Sequence, residues 1–162
     1  MAHVVPIQKR GNAAMIRAIF NILAICGAAC FAGVMFSIGV TLGGYWRSLT
    51  TAEFLDWFAS NNQFISRSIP PTFLPAFIGV VGSVWLSWGA PEGRYWVLSA
   101  LCILVVAILT FAFFVPTNTA FASGTLDEAT GAAKLNQWLT LHYLRIAIGT
   151  AAAVFGCIAI KG

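Results

Sequence analysis

The sequence predicts an all-α fold, a four-helix transmembrane bundle with a short amphipathic cap segment between spans one and two. Two observations predict it. Of the 162 residues, 59% are hydrophobic and 9% are charged, against about 25% charged in an average soluble domain, and mean hydropathy is +0.85. The apolar residues also gather into four stretches, 13–42, 72–89, 95–115 and 137–160, each long enough to cross a hydrocarbon core that needs about 20 helical residues. Too little chain remains for a water-soluble second domain, so 1–162 reads as a single integral membrane domain.

The first stretch, as helix, is roughly 45 Å long against a core of about 30 Å, so it must tilt or project. Lys9, Arg10 and Arg17 stand before the unbroken apolar run that extends to about Leu42, in the manner of a signal peptide. The apolar run is too long for one, and an uncleaved first span is expected. Gly27, Cys30, Gly33, Ser37 and Thr41 recur at spacings of three and four, a small-residue stripe that lets another helix approach closely. Next, TTAEFLDWFASNNQFISRSIPP sets Phe54, Leu55, Trp57 and Phe58 among Glu53 and Asp56, the pattern of a helix lying at the interface or capping the bundle. Pro70 and Pro71 end it and start span two.

The turn APEGR between spans two and three is tight, so those spans form an antiparallel hairpin. Pro116 is expected to stop span three, and the small-residue-rich segment after it reads as a loop with a short helix near 126–133. Tyr45, Trp46, Trp85, Trp88, Tyr95 and Trp96 fall near span ends and are assigned to interfacial anchoring. With the N-terminus inside, Lys9, Arg10, Arg94 and Lys161 lie on the cytoplasmic side, with Arg17 near that edge. Arg47, Arg67 and Lys134 lie outside, an N-in, C-in topology suited to a bacterial inner membrane or its equivalent.

Composition also excludes. The net charge of +4 is scattered at span edges without a basic run, so no nucleic-acid partner is expected. Cys26, Cys30, Cys102 and Cys157 all fall in apolar stretches, where cysteine packs as a small hydrophobe, and neither a disulfide framework nor a cysteine metal site is read.

The exception to apolar character is NQWLTLHYLRIA, residues 136–147. Trp138, His142 and Arg145 follow at four and three residues and share one helix face. Ionisable residues inside a span usually face the bundle interior and mark a functional site. Asn118, just past Pro116, reaches the same membrane level, and Asn136 adds an amide at the rim. A small cavity with apolar walls and convergent polar groups follows. A plainer reading stands beside it, in which Arg145 pairs with Asp127, Glu128 or a lipid phosphate and His142 bonds a carbonyl to fix helix register. No span contains a carboxylate, which removes a carboxylate-bridged metal pair, and one intramembrane histidine holds a metal or haem poorly. What remains is metal-free acid and base chemistry, an imidazole taking a proton and a guanidinium stabilising the anion.

VPTN at 115–118, then Leu135, Trp138, His142, Arg145 and Gly149, resembles the C-terminal half of the anthrone oxygenase-like family of small four-span membrane proteins. Its pattern there is a Pro-Thr-Asn turn, then Trp, a polar Asn or His, and Arg three residues on. The N-terminal half is similar more loosely, through AGVMFS at 32–37, the amphipathic segment and Pro70 or Pro75. The resemblance implies an oxygenase that converts an anthrone to an anthraquinone with molecular oxygen and no cofactor. On that footing His142 is the catalytic base, Arg145 stabilises the enolate and peroxide oxygens, and Asn118, Trp138 and Asn136 bind the flat substrate. Two other readings stay open: a noncatalytic subunit docked to other membrane subunits of a respiratory or photosynthetic complex, and a pocket for membrane lipid or a quinone.

Overall fold

A computed structural model describes residues 7–161, with side chains from residue 11. The basic pair Lys9 and Arg10 lies outside the described side chains. The elements are α1 (Ile7–Ser37), a π-helical turn (Ile38–Leu42), α2 (Gly43–Ser48), α3 (Thr51–Ser68), α4 (Pro70–Leu86), α5 (Gly93–Leu109), a second π-helical turn (Thr110–Phe114), α6 (Val115–Ala122) and α7 (Glu128–Ala159). They join into four rods, Gly11–Ser48, Thr51–Leu86, Gly93–Ala122 and Glu128–Ala159, each long and apolar enough to cross a membrane. The protein is therefore an all-helical, multi-pass integral membrane protein, and no strand occurs among the described residues.

Glycines let α1 and α4 come into backbone contact. A Cβ on Gly27 would collide with the Ala76 backbone, one on Gly79 with the Ala24 backbone, and one on Gly82 with the Phe20 ring. In hydrocarbon, where burial of apolar surface no longer drives helices together, close packing of this kind is a main source of association. The expected stripe on α1 is right only at Gly27; Cys30, Gly33, Ser37 and Thr41 are exposed. The reason lies on the partner. Ala76, Gly79 and Gly82 of α4 meet Gly27, Ala24 and Phe20, so a small residue becomes a contact only where the facing helix presents a surface to it. Elsewhere Ser83 donates to Asn21 Oδ1 (2.9 Å), and Ser99 donates to the Ala152 carbonyl (2.8 Å), tying α5 to α7.

The cap segment is helical, and Ile69, also in helical conformation, joins it to α4 as the first half of the second rod. Thr50 accepts from the Glu53 amide while the Glu53 carboxylate accepts from the Thr50 amide, a reciprocal box that satisfies two otherwise free donors. The buried face of α3 carries Phe54 and Phe58, which meet Trp46 at 5.6 and 5.7 Å and Phe121 of α6 at 5.0 and 5.2 Å between ring centroids. Thr50→Ala is expected to lower stability by about 1 kcal/mol, read as a small drop in the thermal unfolding midpoint in detergent.

Three expectations are corrected. Pro116 does not end span three: it is the second residue of α6, which continues the rod to Ala122. The π-helical turn just before it resets the hydrogen-bond ladder, so the missing amide falls at a helix start, where proline is tolerated. The expected separate helix near 126–133 belongs to α7, whose N-terminus is capped by Asp127 accepting from the Thr130 amide at 2.9 Å. That amide, then the Thr130 hydroxyl, holds the Asp127 carboxyl below its usual range. Lastly, Trp46 and Trp96 are buried in the core instead of anchoring at the interface. Trp46 is enclosed by Phe54, Trp57, Phe58 and Trp138, and Trp96 lies against Gly156, which leaves room for its ring. Trp85 and Trp88 are strongly exposed, as anchors are.

Candidate functional site: a buried arginine over an apolar chamber

The inward face of α7 carries Leu135, Trp138, Leu139, His142, Arg145 and Gly149, all buried. The Trp138 and His142 rings stack, 4.6 Å between centroids and 12° from parallel. His142 Nε2 lies 2.7 Å from the Met35 carbonyl oxygen. A carbonyl only accepts, so this nitrogen carries the hydrogen and Nδ1 holds a lone pair. Arg145 donates to that lone pair at 3.0 Å. The two contacts require the same neutral tautomer, and the ring thereby links span one to the arginine. Gly39 lets it fit, since a Cβ there would stand 3.1 Å from His142 Cδ2.

Arg145 is 2% exposed. One terminal nitrogen donates to His142, and the other reaches the Thr110 hydroxyl at 3.4 Å. The guanidinium carbon sits 3.7 Å above the Phe114 ring, a cation–π contact strengthened by the dry surroundings. Its Nε is buried without a partner. No carboxylate approaches: the single ion pair among the described residues joins Arg17 to Glu92 at 3.4 Å. The charge is thus held by a neutral imidazole, a hydroxyl and an aromatic face. Thr110 and Phe114 are the first and last residues of the second π-helical turn, a local widening that often marks functional positions.

Arg145, Trp138 and Asn118 line a chamber of about 350 Å³ between the α3–α4 junction and the α5–α6 rod, within the range of small-molecule sites. Its other walls are apolar, chiefly Ile65, Phe73, Phe111 and Phe114. Leu74 and Phe111 at its side are 53% and 73% exposed, so the chamber opens toward the bilayer core. Trp138 Nε1 donates to Asn118 Oδ1 at 2.8 Å, which orients the amide and leaves its NH2 group as a donor. A larger groove of about 630 Å³ between α1 and α7, around Gly33 and Val154, contains none of these polar groups.

Of the residues expected from sequence, Asn118, Trp138 and Arg145 meet at the chamber. His142 stands directly behind them and does not line it. Asn136 is not brought to the site. It is exposed, and its carbonyl accepts from Thr140; lying two residues before Trp138 places it on the opposite helix face. The anticipated pairing of Arg145 with Asp127 or Glu128 does not form, whereas the anticipated carbonyl bond of His142 does. Sequence reasoning missed Thr110, Phe114, Phe73, Ile65 and the Met35 carbonyl. Thr110 alone carried a signal, a hydroxyl within an otherwise apolar span. Among the described residues, no three His, Cys, Asp or Glu side chains converge as a metal-ligand set.

Fold and site together define a small polytopic membrane protein that keeps one uncompensated cation over a lipid-facing aromatic chamber. The chain belongs to the anthrone oxygenase family, whose model matches residues 54–155. That stretch contains every residue lining the chamber and excludes Met35, which buttresses His142 from span one. No curated protein and no solved structure matches the chain.

Proposed function

We propose that this protein is a membrane oxygenase for a flat, lipophilic anthrone-like substrate, and that Arg145 is its catalytic residue. The observation that carries the reading is a buried guanidinium, with no carboxylate beside it, on a residue that lines an apolar chamber. An anthrone is a neutral ketone that partitions into lipid, and its central methylene becomes acidic when the resulting enolate oxygen is stabilised. A desolvated donor placed where that charge develops acts far more strongly than it would in water.

The chemistry follows in balanced steps. The methylene proton leaves to water at the polar edge of the chamber, and the electron pair delocalises onto the oxygen facing Arg145. The carbanion transfers one electron to dioxygen, and the two radicals combine to a C–O bond. Protonation gives a hydroperoxide, which loses water to leave the quinone carbonyl. One oxygen atom enters the product and the other leaves as water, with both methylene hydrogens. Trp138 and Phe114 supply faces for the rings, and Asn118 supplies a second donor at the edge.

His142 is assigned here to positioning. The base role implied by family resemblance needs a free ring nitrogen, and both are engaged, one donating to Met35 and the other accepting from Arg145. The imidazole accepts one guanidinium hydrogen bond and the Thr110 hydroxyl another, and together they hold the group at the chamber wall. Orientation belongs to the proposal as well: Arg17, Arg94 and Lys161 at one end favour an N-in, C-in chain.

The test is oxygen uptake by the detergent-purified chain with a 1,8-dihydroxyanthrone, with quinone formation followed spectroscopically. Wild type is expected to exceed the spontaneous rate. His142→Gln, whose amide keeps a donor and an acceptor, is expected to lose about tenfold while retaining the wild-type pH profile. A profile that loses one limb in this variant would make His142 the base. Background-level uptake in wild type, together with tight binding of a quinone, would favour the quinone-pocket reading.

A further inference from the structure

A second cavity adjoins the chamber. It measures about 410 Å³, lies between α3 and α6, and shares Ser66, Val115 and Asn118 with the chamber. Its character is the reverse. Five of its seven lining residues are polar, namely Asn62, Ser66, Asn118, Thr119 and Ser123, and none carries a charge.

The hydrogen bonds of these groups set which chemistry the vestibule presents. Ser66 donates its hydroxyl hydrogen to the Asn62 carbonyl at 3.1 Å, and Thr119 donates to the Val115 carbonyl at 3.0 Å. Asn62 donates from its amide nitrogen to the Ala59 carbonyl at 3.3 Å. Ser66 and Thr119 thus turn their only hydrogen back onto their own helix, as short polar side chains in helices do, and Asn62 turns one of its two amide hydrogens back; all three leave oxygen lone pairs for a ligand. Asn118 is the opposite case. Its oxygen is occupied by Trp138, so its NH2 group is the donor at the junction of the two cavities.

We infer that this vestibule is a second subsite, continuous with the chamber, that binds an uncharged, hydroxyl-bearing substituent of the ligand. The inference rests on the chamber reading above and adds the class of substrate. A hydroxyl group both donates and accepts, so it satisfies the outward oxygens of Asn62, Ser66 and Thr119 and accepts from Asn118. A carboxylate meets the outward oxygens of Ser66 and Thr119 with no cation among the lining residues, and an ammonium meets no carboxylate there, so neither charge finds an opposite partner. The ligand is therefore a planar ring system with one anionic or carbonyl oxygen on Arg145 and a neutral hydroxylated arm directed to the membrane surface.

Three 1,8-dihydroxyanthraquinones test it, bearing methyl, hydroxymethyl or carboxylate at position 3, with binding to the purified chain followed by quenching of tryptophan fluorescence. Wild type is expected to prefer hydroxymethyl over methyl by about three- to tenfold, the worth of one net hydrogen bond, and to reject the carboxylate. In Thr119→Val with Asn62→Leu the preference should fall to near unity. Thr140→Val, on the outward face of α7, should keep it. An equal preference in wild type and the double variant, or none in either, would mean that the vestibule is only a water path. If no compound binds, the inference fails together with the chamber reading. If discrimination is present while oxygen uptake with the matching anthrones stays at background, the oxygenase reading fails and the subsite stands.

Discussion

Replacing Arg145 with methionine is expected to lower oxygen uptake by about two to three orders of magnitude while changing the stability of the fold by no more than about 1 kcal/mol. Two opposing effects set the second figure. The substitution leaves the His142 Nδ1 lone pair without its donor, a loss of about 1–3 kcal/mol for a buried polar atom. It also removes a charge buried without any carboxylate, and replacing buried ionic groups with apolar side chains of similar volume is often stabilising by about 1–4 kcal/mol. A residue kept for architecture behaves otherwise, because its removal unfolds the protein. The measurement is an oxygen-electrode rate beside a thermal unfolding curve in the same detergent. A drop in the unfolding midpoint that tracks the loss of rate would move Arg145 from catalysis to structure.

Gly79→Val is expected to have the largest structural effect, destabilising by about 3 kcal/mol or more. The new Cβ would fall on the Ala24 backbone, and backbone within a helix cannot swing aside as a side-chain tip does. The helices must separate, and with them the Gly27–Ala76 contact, three residues along each helix. Gly44→Ala is the matched control, because nothing lies within 4 Å of the added carbon and alanine favours a helix. It should leave the midpoint unchanged or slightly raised. Equal behaviour of the two variants, read by size-exclusion profile and unfolding midpoint, would show that α1 and α4 do not rely on this approach.

Much of the architecture was legible because hydrocarbon imposes a simple rule. Backbone groups must be satisfied within each segment, so apolar length translated directly into four rods. The cap helix was legible through its amphipathic period, and the candidate site's shared face through the spacing of Trp138, His142 and Arg145. What escaped were the features made by neighbours. The first-span stripe was misread because contact depends on α4 as much as on α1. Trp46 and Trp96 were misplaced because an aromatic near a span end looks the same from sequence whether a cap covers it or lipid does. Phe73, Thr110 and Phe114 reach the chamber through rod pairing and a π-helical turn, and a π-helical turn has no side-chain signature. Asn136 was included for its chemistry and excluded by angle, two residues being the wrong interval on a helix.

The turn at Thr110–Phe114 also has a genetic meaning. An added or lost residue in a helix rotates everything beyond it by about 100°, so the interval between Arg145's partner Thr110 and Trp138's partner Asn118 is set by chain length as well as by residue identity. Deletion of the Ala112 or Phe113 codon would rewind the rod and turn Asn118 away from Trp138, changing the junction of both cavities at once while leaving every chamber side chain encoded. Insertions and deletions, usually confined to loops, are here a means of altering ligand choice from within a transmembrane helix.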